Sequence, residues 1–100
     1  MLVLPVELTH AQATACLDLL LKAARAETDT QVLVDATPLA RFDSSALAVL
    51  LAVRRECLHD GKGFAVHGLA PRLRELAGLY GVGALLPAPA AAADAVLAAS

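Results

Sequence analysis

The chain has 100 residues, of which 58% are hydrophobic, 18% charged and 3% aromatic, with a net charge of -2. That length fits one small domain around a single aliphatic core, and the charge excludes the basic footprint that nucleic-acid binding requires. The longest uninterrupted apolar run, Ala46 to Val53, falls far short of the ~20 residues that cross a bilayer, so no transmembrane segment is predicted.

Leu2 to Pro5 reads as a short apolar strand, with Pro5 at its end or on an edge because proline has no N–H to donate to a ladder. Glu7 follows at once, so no signal-peptide core forms and a cytoplasmic location is expected. Thr9 and Gln12 have the spacing of a capping box. They open a helix that runs to about Ala26, with Ala13, Cys16, Leu17, Leu20 and Ala24 on one face and Leu19 and Leu21 widening the stripe.

Gln31 to Asp35 is a nearly continuous apolar strand, the pattern of a strand covered on both faces or central in its sheet. Thr37-Pro38 breaks it. A second helix is predicted from Ser44 to His59, ended by the turn Asp60-Gly61-Lys62-Gly63, and Phe64 to Gly68 is the next strand. Pro71 opens a third helix in which Leu73, Leu76, Ala77 and Tyr80 share a face, and Gly81 suits its C-terminal end. Leu85-Leu86-Pro87-Ala88-Pro89 is a breaker segment that closes a domain spanning residues 1–87. The remaining tail, 88–100, is alanine-rich, and Ala90 to Ala99 reads as a short, frayed or partner-dependent helix with little to bury. Alternating strands and helices predict an α/β fold: a small mixed sheet with helices packed on it through right-handed crossovers.

Asp43-Ser44-Ser45 stands directly before the second helix, where the first backbone N–H groups are unpaired and the helix dipole is positive. An Asp or Ser oxygen caps such a terminus, and a phosphate on Ser44 would be favoured there too. The physical argument leaves both roles open. A serine nucleophile would need a base held by a third group, whereas His10, His59 and His67 occur singly and no GxSxG elbow is present. Gly61-Lys62-Gly63 is too short for a phosphate loop and lies between helix and strand in the wrong order. Cys16 and Cys57 belong to no CxxC or Cys/His pair of metal-ligand spacing and read as reduced, buried thiols. No catalysis, metal or cofactor is expected.

Ala46, Leu47, Val49, Leu50, Leu51 and Val53 nearly encircle the second helix, so a sheet on one side leaves another side apolar. The first helix, the tail or another polypeptide has to cover it.

Val32-Leu33-Val34-Asp35, then Leu39, Phe42 and Asp43-Ser44-Ser45-Ala46-Leu47, resemble the signature of STAS domains, the fold of bacterial anti-sigma factor antagonists and of the sulfate-transporter C-terminal domain. That signature is a strand ending in Asp, a short loop, and Asp-Ser-Ser/Thr-Gly-Leu opening a helix. Gly68-Leu69-Ala70-Pro71, Leu73, Leu76 to Val82 and Leu85-Leu86-Pro87 are similar to the closing segment of the MlaB-type branch, the STAS subunit of phospholipid-transport ABC complexes. The resemblance implies a non-enzymatic subunit that binds the cytoplasmic ATPase of such a complex, sits at the inner membrane through that partner, and supports outer-membrane lipid asymmetry. It implies a contact surface of Asp43, Ser44, Ser45 and Leu47. In the sigma-regulating branch the position of Ser44 is phosphorylated, so an anti-sigma factor antagonist is the alternative. Ala46 replaces the glycine of many members and restricts close backbone approach, which weakens the kinase-substrate reading more than the docking one. STAS domains usually carry a further strand before the segment matching Leu2 to Pro5, and without it an open sheet edge would invite a homodimer or a partner strand.

Overall fold

A computed structural model describes residues 1–89 of the protein. Five short strands and three helices follow one another as β1 (Leu2–Val3), β2 (Glu7–Leu8), α1 (Ala13–Ala26), β3 (Gln31–Asp35), β4 (Arg41–Phe42), α2 (Ser44–His59), β5 (Gly63–His67) and α3 (Pro71–Leu79), before a 3-10 turn at Gly83–Leu85. The sheet order is β1-β3-β5, with β2 and β4 forming a separate pair. Every pairing is parallel, with Leu2 opposite Val34 and Val34 opposite Val66 in one sheet and Leu8 opposite Phe42 in the other. Parallel pairing follows from the helical crossovers, because adjacent parallel strands cannot be joined by a tight turn. The alanine-rich stretch predicted as a helix lies outside the described residues.

β3 is central, as its apolar run implies. Val32 and Val34 are fully buried on the helix-facing side, while Leu33 on the other face is half-buried. The predicted bounds of β3 and α2 match those observed, whereas β2 and β4 fall in stretches read as turn and loop. Two-residue strands carry no usable period.

The Thr9/Gln12 box does not start α1. Gln12 Oε1 accepts from the Thr9 N–H at 2.9 Å and from Thr9 Oγ1 at 2.7 Å. The threonine hydroxyl is spent on the glutamine, so the pair closes a turn and the helix begins only at Ala13. Two further residues depart from the predicted faces: Leu19 is 68% and Tyr80 61% exposed. Helical spacing fixes the centre of a buried stripe but not its width.

α2 is the hub of the core. Ala46, Leu47, Val49, Leu50, Val53 and Cys57 are all buried, because β5 lies under one side and α1 and α3 pack on the helix as well. The apolar girth that raised the question of an outside partner is therefore mostly enclosed within the domain itself. Only Ala48, Arg55, Leu58 and His59 lie exposed on its body.

Side-chain ties hold the elements in place. Lys62 Nζ donates to the carbonyls of Ala24 at 2.9 Å and Glu27 at 2.6 Å, satisfying groups that the end of α1 leaves open. Gly68 has φ +70, and a side chain there would collide with Thr37, so only glycine fits the exit from β5. Beyond α3, Arg74 Nη1 donates to the Leu86 carbonyl at 2.8 Å, and the Val66 N–H to the Pro87 carbonyl at 2.8 Å. The C-terminal segment is thereby drawn along the outer edge of β5. At the opposite border, β1 pairs with β3 alone among the described residues.

Candidate functional site

The path from β3 to α2 is built by two aspartates. Asp35 ends β3, and its Oδ1 accepts from the Thr37 N–H at 3.0 Å and from Thr37 Oγ1 at 2.7 Å. These bonds turn the chain off the sheet and hold the Asp35 carboxyl below its ordinary range, with the hydroxyl contributing most. Leu39 then anchors the loop in the core. The Val6 carbonyl accepts from both the Ala40 N–H at 2.8 Å and the Arg41 N–H at 3.0 Å, after which β4 runs beside β2. That pairing delivers Asp43 to the turn that precedes α1.

Asp43 is the N-cap of α2 and does more than cap. Its Oδ1 accepts from the Ser45 N–H at 2.8 Å and its Oδ2 from the His10 N–H at 3.0 Å. Both donors favour the ionised form, first Ser45 and then His10, and they hold the carboxyl below the usual carboxylate range. The cap role therefore belongs to the aspartate rather than to either serine. Ser44 is left exposed at the end of the helix, and Ser45 is half-buried.

Leu47 does not join them. It is 3% exposed and belongs to the core cluster, because one turn into α2 the helix has already sunk between its neighbours. As a contact residue it is corrected to a core residue. In its place the surface gains His10 and Thr14, which line a groove of about 250 Å³ with Ala13, Leu17, Ser45, Ala48 and Val49. No sequence signal pointed to His10, since 33 positions separate it from Asp43 and only the parallel β2–β4 pair brings them together.

Cys16 is half-buried and Cys57 buried, both free, and burial raises both thiols above their ordinary range. Such thiols are poorly ionised at neutral pH. Among the described residues, no group of His, Cys, Asp or Glu is placed to hold a metal ion, and no helix is long and apolar enough to cross a membrane.

A three-helix α/β domain with an Asp-Ser pair opening its central helix is the arrangement of a STAS domain, and the structure superposes on one. It is similar to a solved anti-sigma-factor antagonist (STAS) domain protein from Planctomyces limnophilus, with a TM-score of 0.72 and 20% identity over 86% of this chain and 77% of that one. At that identity the likeness establishes the fold. The family described as "Mlab, STAS domain" matches residues 1–87, and the chain belongs to this MlaB-type STAS family. No curated protein matches the chain significantly.

Proposed function

We propose that this domain is the non-enzymatic STAS subunit of an Mla-type phospholipid-transport ABC complex, where it binds and supports the cytoplasmic ATPase. The observation that carries this reading is the MlaB-type family match across residues 1–87, nearly the whole of the described chain. Its contact surface centres on Ser44, which is exposed at the start of α2 and free of the capping role that Asp43 fills. The domain sits at the inner membrane through that partner. The supposed surplus of apolar side chains on α2 plays no part here, since most of them are buried.

Co-purification from the native host tests the assignment, with an ABC ATPase and its permease expected in the bound fraction. Ser44→Arg is expected to abolish ATPase binding while the thermal midpoint stays near that of the unmodified protein, since the side chain changes only on the surface. Equal binding by the arginine variant would remove Ser44 from the interface.

A second reading, an anti-sigma factor antagonist switched by phosphate on Ser44, draws support from the exposed hydroxyl. A phosphate adds about -1.5 to -2 charge at pH 7, enough to reverse docking to an acidic partner. Intact mass measured after incubation with a cognate kinase and ATP decides it: a phosphate adduct that maps to Ser44 favours the switch, and an unchanged mass eliminates it.

A further inference from the structure

Asp43 is the only side chain that joins the turn before α1 to the start of α2 among the hydrogen bonds of the described residues, and it does so with one oxygen on each side. The two segments border the same groove, His10 beside Thr14 of α1 on one wall and Ser45 and Ala48 on the other. Residues 9–12 hold their own turn through Gln12, whose Nε2 also reaches Glu7 Oε1 at 3.2 Å. The β2–β4 pair fixes one end of the turn and the packing of α1 on α2 the other. Between them the backbone at His10 is tied to α2 by the Asp43 carboxylate, and without it the exposed His10 N–H would bond water and the middle of the turn would lose that tie.

We propose that Asp43 is a positioning residue for the docking surface: by accepting from both Ser45 and His10 it fixes the middle of the turn against α2, so that His10 meets the ATPase subunit together with Ser44. The inference rests on the ATPase-binding reading and adds to it a second chain segment, from a region that the sequence motif does not include. A loop already fixed in the free protein does not have to be ordered when the complex forms, and this is where the gain in affinity arises.

Asparagine separates the two bonds. It caps helices about as well as aspartate, yet it offers a single carbonyl oxygen, so Asp43→Asn retains the bond from Ser45 and loses the one from His10. Amide hydrogen exchange on the free domain should show His10 exchanging faster in Asp43→Asn, while Ser45 and the body of α2 stay protected and the thermal midpoint changes little. Affinity for the purified ABC ATPase subunit of the same organism should fall roughly ten-fold, the effect of ordering about one residue's backbone on binding. His10→Ala keeps its N–H, so exchange at position 10 should stay slow while affinity falls because the side chain is gone.

Unaltered exchange at His10 in Asp43→Asn overturns the positioning role, as does faster exchange with unchanged affinity. Unchanged affinity in His10→Ala removes His10 from the surface. If the unmodified domain itself fails to bind the ATPase subunit, the functional reading falls, a result distinct from the other three because the exchange measurement needs no partner.

Discussion

The two ends of α2 are made for different tasks. From Ala46 to Cys57 the helix is held by burial, with Leu50 and Val53 at 0% exposure between the sheet and the flanking helices. Its first turn is held instead by polar bonds in water, two of them to one carboxylate, and Ser44 stands clear of the core. Burial is non-directional and involves no charged side chain, so the body does not depend on a protonation state. The polar start depends on the ionisation of Asp43. The domain therefore keeps its stability and its exposed chemistry in adjacent turns of one helix, and either can be altered with little effect on the other.

The largest effect is expected where the contrast is sharpest. Leu50→Ala should destabilise the domain by about 2–5 kcal/mol, since it opens a cavity among well-packed neighbours, and denaturant unfolding reads this directly. A loss below that range would mean that the body is less tightly packed than its burial implies. Next comes Arg74→Ala, which strips the buried Leu86 carbonyl of its charged donor and should cost about 1–3 kcal/mol in the same assay.

Acid should act on the polar start before it acts on the body. The folded-state pKa of Asp43 is depressed, so its stabilising contribution is complete above the unfolded-state value of about 3.9 and is lost as pH falls through the lower folded value. Asp35 shifts in the same direction for a similar reason. Thermal midpoints recorded from neutral pH downward should decline in that acid window, and the decline should be shallower in Asp43→Asn. Identical profiles would show that the carboxylate's charge is immaterial to the cap. The smallest effect belongs to the exposed Arg25–Glu56 pair, 2.8 Å apart. Arg25→Ala should leave unfolding nearly unchanged in 0.5 M salt, because exposed ion pairs are weak and screened.

The longer elements and the apolar first strand were readable from the sequence, whereas the two-residue strands β2 and β4 were not. The continuous apolar run of β3 and the cap and turn signals around α2 located both elements residue by residue. β2 and β4 are defined by pairing with each other, a property of the folded chain that neither segment carries alone. The girth of α2 is legible in composition, which leaves the first helix, the tail or another polypeptide to cover it; the folded chain shows that α1 does so, together with α3. The resemblance implies Leu47 at the contact surface, whereas one turn into α2 the helix has already entered the core and the side chain is buried, a depth that no local pattern reveals. Asp43 was legible as a cap. Its second bond, to His10, was invisible until the parallel strand pair had formed.

The union of Val66 with Pro87 bears on how copies of this chain can gather. The Pro87 carbonyl already occupies the Val66 N–H, and prolines 87 and 89 have no N–H of their own to offer, so this border gives an incoming strand fewer groups to pair with. Edge-to-edge addition of another copy is disfavoured there, and with it one of the common routes by which strands grow into fibres.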